Sequence, residues 1–307
     1  MALFQRILRV ATPVAMLVIS FPVQACSVCG CGDPLVAVGE VAGPQGQLGL
    51  ELDGQWLTQT AGGDTPGTKD VLTQWSILLT ASYSPIAKLN VVVTLPYVFK
   101  LLQNEDATGT KTTTSNLNGI GDLQFGLRWF FWEKISFADR TRQTLSLNAG
   151  TTAPTGSNNA TVEGVRVDEH GQLGTGGWGP YLGLFYRLQG DVWSGYAGVW
   201  GLYRTTNSYG YRFGSALLWT AAGQYQPVDW FAATLAFDGR YAGADVSDGV
   251  SVDSTGGFLL AAAPMVQFRV FKGGWLLARA QLPIATALNG IQTIGPVVTA
   301  GLRIEVL

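Results

Sequence analysis

From residue 47 onward, apolar and polar side chains alternate in segment after segment of the chain. In "LTQWSILLTASYSP" the residues Trp75, Ile77, Leu79, Ala81 and Tyr83 are apolar, and Gln74, Ser76, Thr80 and Ser82 between them are polar. "LNVVVTLPYVFK" sets Leu89, Val91, Val93, Leu95, Tyr97 and Phe99 against Asn90, Thr94 and Lys100. "GDLQFGLRWFFW" sets Leu123, Phe125, Leu127, Trp129 and Phe131 against Asp122, Gln124, Gly126 and Arg128. Successive side chains of a strand point to opposite faces, so each segment predicts a strand with one apolar and one polar face. The pattern predicts twelve strands, at 47–59, 72–84, 89–101, 120–132, 143–153, 178–189, 192–205, 211–226, 229–241, 257–270, 274–283 and 294–306. A soluble sandwich also alternates, but it does not need twelve such segments with aromatic ends and so few charges.

The connections sharpen this reading. "AGGDTPGTKDV", "LQNEDATGTKTTTSNLNG", "PTGSNNATVEGVRVDEHGQLGTGG", "TNSYG", "AGADVSDGVSVDSTG" and "IATALNGIQT" take turns with "SPIAK", "EKISFADRTR", "GD", "PV" and "KGG". Short periplasmic turns and longer outer loops mark an outer-membrane barrel, whose closure leaves no unpaired backbone in lipid. The expected fold class is all-β, a transmembrane antiparallel up-and-down β-barrel over 47–307, with loop 154–177 facing outward.

Composition agrees. The 307 residues include 40 Gly and 10 Trp, and only 13% are charged, against about 25% in soluble proteins. Arg6 and Arg9 precede "VATPVAMLVISFPVQA", a basic start, an apolar centre and a small-residue close that describe a secretory signal over 1–25. A spanning helix is the weaker reading, because Pro13 and Pro22 bracket a run shorter than the ~20 residues it needs. Residues 26–46 would then form a periplasmic segment ahead of the barrel.

Short motifs add a resemblance. "VVTLPYVFK" (92–100), "GIGDLQFGLRWFF" (119–131), "TTAPTGSNN" (151–159) and "RAQLPIATALNGIQ" (279–292) resemble the family of outer-membrane channels associated with meta-pathway phenol degradation. The resemblance implies a transport role without supplying a substrate. The chain departs from the family pattern in a cysteine cluster and in ending "RIEVL" rather than on an aromatic residue, with Leu302, Ile304 and Val306 on the expected apolar face.

The polar faces carry nine cations, Lys100, Arg128, Arg187, Arg204, Arg212, Arg240, Arg269, Arg279 and Arg303, against five anions, Glu51, Asp53, Asp122, Asp238 and Glu305. The overall formal charge is −2 because the loops are acidic, with Asp64, Asp70, Glu105, Asp106, Glu163, Asp168, Glu169, Asp245, Asp248 and Asp253 against Lys69, Lys111 and Arg166. Arginines around a lumen favour anions. The alternative is a ladder of Arg–carboxylate pairs that props the wall. Pore-lining positions are therefore expected at Asp122, Arg128, Arg187, Arg204, Arg212, Asp238, Arg240, Arg269, Arg279 and Arg303. "RWFFW" and the pair Trp193 and Trp200 read as interface anchors rather than a ligand cage.

"CSVCGCGDP" holds the only cysteines, Cys26, Cys29 and Cys31. Gly30 after Cys29 rules out a C-x-x-C-H haem motif. A four-thiolate iron–sulfur or zinc site lacks its fourth ligand. A soft metal ion held by three thiolates, a lipid anchor on Cys26, a strained disulfide and no role at all stay open. No other cofactor is expected. Membrane lipid and a small solute are the expected partners, with a periplasmic protein as a further one and no nucleic acid. His170 is the only histidine, and it sits in a glycine-rich loop with no serine at a recognisable position, so no enzyme is expected. Three functions fit the sequence: a porin-type channel for small solutes, a scaffold whose cysteine segment engages a metal or redox partner, and, least favoured, a lipid hydrolase.

Overall fold

The computed structural model describes residues 45–62 and 68–306, so the signal segment and Cys26, Cys29 and Cys31 lie outside the described residues. The strands are β1 (Leu48–Gly62), β2 (Lys69–Ile86), β3 (Leu89–Glu105), β4 (Lys111–Ile120), β5 (Leu123–Ser136), β6 (Thr141–Ala153), β7 (Thr161–Val162), β8 (Val165–Arg166) and β9 (Gly179–Gln189). They continue as β10 (Trp193–Leu202), β11 (Tyr211–Arg212), β12 (Ala216–Val228), β13 (Phe231–Ala242), β14 (Val246–Ser247), β15 (Val250–Ser251), β16 (Gly257–Phe271), β17 (Gly274–Leu288) and β18 (Gln292–Val306).

The wall is a closed antiparallel ring of twelve strand positions. β1 pairs with β2 on one side and with β18 on the other, where Leu48 faces Val306. β3 pairs with β4 through Tyr97–Glu105 and with β5 through Leu89–Thr94. β4 and β5 thus share one wall position, interrupted at Gly121 and Asp122. The remaining short strands β7, β8, β11, β14 and β15 belong to loops.

The expected alternation is present residue by residue. Trp75 is 58% exposed and its neighbour Ser76 only 4%; Leu95, Tyr97, Phe99, Phe125, Leu127, Trp129 and Phe131 all face outward. This outer apolar face is the one a bilayer covers, and aromatic pairs lie in it. Trp129 and Phe131 are 5.7 Å apart, and Trp230, at the turn between β12 and β13, stacks on Phe268 at 6.5 Å.

Several expectations are corrected. Residues 102–119 are mostly a hairpin extension of β3 and β4 rather than a loop, because their Thr-rich alternation continues the ladder from Leu102↔Ser115 to Asn104↔Thr113. "EKISFADRTR" contracts to a turn between Ser136 and Thr141, with Arg140 at φ 49°. "IATALNGIQT" contracts likewise, to the residues between Leu288 and Gln292. Trp200 is not an interface anchor. It faces inward at 5% exposure, packed with Phe185, Tyr196, Leu202 and Leu218. Gly183 is its cross-strand partner, and a Cβ there would collide with the indole. Trp193 does face outward. The inner faces of nearby β13 and β16 carry small residues, Ala232, Ala236, Ala261 and Ala263, so large and small side chains share the inner wall.

Candidate functional site

Residues 154–178 fold inward at the long-loop end of the barrel. Glu169, His170, Gln172 and Thr175 are buried, whereas Thr155, Ser157, Asn159, Thr161, Glu163, Gly164, Val165 and Asp168 are exposed. The loop is held by polar contacts to the wall. Asp122 accepts from the Gly156 amide at 3.0 Å through Oδ1, and from the Thr175 amide and hydroxyl at 2.7 Å each through Oδ2. Lys100 Nζ donates to the carbonyls of His170 (2.9 Å) and Gln172 (2.5 Å). Gln172 braces the loop from within, donating to the Val167 carbonyl and accepting from the Ala160 amide.

Two other loops close over this one. His170 Nε2 lies 3.1 Å from Asp245 Oδ2 and 3.2 Å from Tyr211 Oη, and Tyr211 donates to the same Asp245 oxygen at 2.6 Å. The Gly214 amide donates to Asp245 Oδ1 at 2.6 Å, and Phe213 meets the imidazole edge-on. Arg166 clasps Glu169 with two nitrogens and lies 3.7 Å above the Tyr209 ring, while Asn207 donates to Glu169 and to the Thr175 carbonyl. Burial alone would raise the Asp245 carboxyl, but hydrogen bonds from His170, Tyr211 and the Gly214 amide outweigh it, so its pKa stays below the usual carboxylate value. Burial and the Asp245 charge push the Tyr211 hydroxyl up, keeping it a donor.

Beneath the loop is a cavity of about 80 Å³ bounded by Lys100, Asp122, Gln124, His170 and Gln172. The mid-section is crowded. Arg128 donates to Asn148 at 2.8 Å and lies 5.9 Å from the Phe185 ring. Asp238 receives Arg279, Gln281 and Thr220, and Glu51 receives Arg303 at 2.6 Å. A second cavity, about 160 Å³, opens toward the short-turn end between Arg187, Tyr196, Thr234 and Arg303.

The structure divides the expected pore-lining residues into groups. Arg128, Arg187, Asp238, Arg240, Arg279 and Arg303 lie on inward faces of wall strands. Asp122 binds the loop instead of standing along the wall. Arg204 lies past the end of β10 and Arg212 in loop strand β11. Arg269 sits at the short-turn end, 3.5 Å from Asp229. Sequence reasoning missed Gln172 and Asp245 as fastenings, and treated Lys100 as a lumen charge. Glycine held the available signal. Gly156 and Gly174 approach so closely that a Cβ on either would meet the other's backbone, which explains the glycines in "GQLGTGG" better than an open loop does.

No family model and no curated relative matches the chain. Among solved structures it is similar to an outer-membrane channel from Pseudomonas putida F1, at TM-score 0.65 and 14% identity, over 89% of this chain and 99% of that one. It is also similar to the transport unit of the autotransporter AIDA-I from Escherichia coli, at TM-score 0.51 and 9% identity, over 91% of this chain and 95% of that one. The chain is an outer-membrane β-barrel. At these identities the likeness extends to the fold.

Proposed function

We propose that this barrel is an outer-membrane channel for small solutes, closed at its outer end by loop 154–178. One observation carries the reading. The loop is fastened to the wall through polar groups, Asp122 and Lys100, with a cavity beneath it and a larger one below the mid-section. The apolar contact between loop and wall is small, Val167 against Leu72 and Leu102, so the polar groups carry most of the fastening. Polar fastenings exchange with water at modest net cost and suit a closure that opens. The motif resemblance to channels of phenol degradation, together with an inner wall of Tyr181, Phe185, Tyr196 and Trp200, supports small solutes with an apolar part.

A second reading has its own support. The Arg303–Glu51 and Arg279–Asp238 pairs and the inward Trp200 fill the mid-section, as a scaffold barrel would require. In that reading the functional surface is the segment 26–46 with Cys26, Cys29 and Cys31, engaging a soft metal ion or a redox partner. For a hydrolase, His170 offers an Nε2 already committed to Asp245 and Tyr211.

Planar-bilayer recording of the refolded protein tests the choice. Brief, discrete openings that lengthen when Asp122 is replaced support the channel. A silent wild type with an equally silent Asp122→Ala variant, both heat-modifiable and correctly folded, would leave the scaffold.

A further inference from the structure

The larger cavity is built unlike the rest of the lumen. At the mid-section Arg128 meets an amide oxygen and Arg279 a carboxylate. Around this cavity the wall presents donors. A chain of hydrogen bonds runs from Arg187 Nη2 to Ser194 Oγ (3.4 Å), from Ser194 Oγ to Gln224 Oε1 (2.9 Å), and from Gln224 Nε2 to Gln267 Oε1 (2.9 Å). Each step spends an acceptor and passes the donor role onward, ending at the Gln267 amide nitrogen. Two hydroxyls on the same wall, Tyr196 Oη and Thr234 Oγ1, have no hydrogen-bond partner among the described residues, although their residues are only 4% and 6% exposed. The register explains their convergence. Arg187 faces Tyr196 across β9 and β10, and Gln224 faces Thr234 across β12 and β13.

We infer that this cavity is a binding site for a small organic carboxylate carrying a short apolar tail. A carboxylate accepts through two oxygens and donates nothing, so it matches a wall of guanidinium, amide and hydroxyl donors. Met265 and Trp275 line the same space and supply the apolar contact for the tail. Three carboxylates lie near, and Asp238, whose charge reaches Tyr196, is engaged by Arg279 and Gln281. Glu51 is engaged by Arg303, and Glu305 is exposed at the short-turn end, where Gln47 donates to it at 3.4 Å. Glu305 therefore stands at the mouth of the site and opposes an incoming anion, whereas Arg187 lies deeper on the wall. Occupancy needs access from the short-turn end only, so the site is equally available in a conducting barrel and in a sealed one.

The test uses the refolded full-length barrel in detergent micelles, titrated calorimetrically with propionate, with neutral propionamide and with inorganic phosphate. Saturable propionate binding, at least tenfold tighter than propionamide or phosphate, is expected. Arg187→Gln should weaken it at least tenfold, Tyr196→Phe and Thr234→Val severalfold each, and Glu305→Gln should strengthen it. Arg128→Gln, on the same wall but outside the cavity lining, should change nothing. Equal binding of acid and amide would overturn the inference. So would tighter binding of phosphate, or propionate affinity indifferent to all four cavity variants. If Arg187→Gln fails to refold, Tyr196→Phe and Thr234→Val decide alone. Binding without bilayer conductance would defeat the channel reading and leave the site standing.

Discussion

Asp122 Oδ2 receives both the amide and the hydroxyl of Thr175 at 2.7 Å, tying the end of an inward-folded loop to a break in the barrel wall. The break has a cause in β3. Between Thr94↔Gln124 and Tyr97↔Ile120 the β4–β5 side carries one residue more than β3 does. Pro96, at that point, has no N–H to give the ladder, and the Gly121 amide donates to its carbonyl. A bulge of this kind re-aims a side chain, and here it turns Asp122 onto the loop.

Replacing Asp122 should therefore open the barrel without unfolding it. Asp122→Ala removes three hydrogen bonds to a carboxylate, each worth about 1.5–3 kcal/mol. A net loss of only about 3 kcal/mol raises the loop-out population roughly a hundredfold. Longer bilayer openings and new proteolysis within 168–175 are expected, with heat-modifiability retained. Unchanged conductance and protection would remove Asp122 as the clamp.

The loop fastening should weaken in acid. Asp245 has a folded pKa below its ordinary 3.8, so its contribution is fully present above the ordinary value. It is lost as pH falls through the lower, folded one. The groups facing it are His170, Tyr211 and the Gly214 amide, with Asp168, Glu169 and Arg166 close by. The protection of 168–175 against hydrogen exchange, taken relative to the intrinsic rate at each pH, should be high and constant from neutral pH down to about 4, then fall. Asp245→Asn should exchange faster at pH 7 and lose that acid step; an identical profile would disprove the assignment.

Intact cells treated with a glutamate-specific protease should be cut after Glu163, at the exposed tip beyond β7, and not after the buried Glu169. Cleavage at Glu169 alone would mean that the loop stands outward. No cut at either site in cells, with cleavage at Glu163 in micelles, would place the loop on the periplasmic side.

The lipid face makes a separate prediction. Leu79 is near the middle of β2 and points outward. Leu79→Arg should lower unfolding stability in bilayers by about 2–4 kcal/mol if it meets the membrane midplane. The loss should be measurable by denaturant titration of tryptophan fluorescence in vesicles. A neutral effect would put Leu79 outside the hydrocarbon band.

The wall was legible because a strand's period of two converts directly into an inside and an outside. Trp75, Ile77 and Leu79 needed only that rule. The lumen was less legible because an inward residue and its partner are far apart in sequence: Arg303 meets Glu51, and Arg279 meets Asp238. The loop closure was the least legible. Lys100, His170, Tyr211 and Asp245 come from four separate segments and share no local pattern. Trp200 was misjudged for a related reason. Alternation gives two faces, and in "WSGYAGVWGL" both faces carry aromatics, so only the position of Gly183 on the neighbouring strand decides which one turns inward.

That inward placement yields the last prediction. Trp200 lies over Gly183 and packs against Phe185 and Leu218, projecting into the lumen beside the alanine-lined β13 and β16. Removing a buried tryptophan side chain costs about 3–5 kcal/mol in a dry core, and less where water enters the space. Trp200→Ala should therefore lower stability modestly and raise single-channel conductance, because the volume removed is lumen volume. Trp75→Ala is the control, since Trp75 is more exposed than any inward aromatic and faces lipid. It should cost stability in vesicles and leave conductance unchanged. If the two variants conduct alike, the mid-section beside Trp200 is not the narrow part of the path, and the restriction lies at the loop held by Asp122.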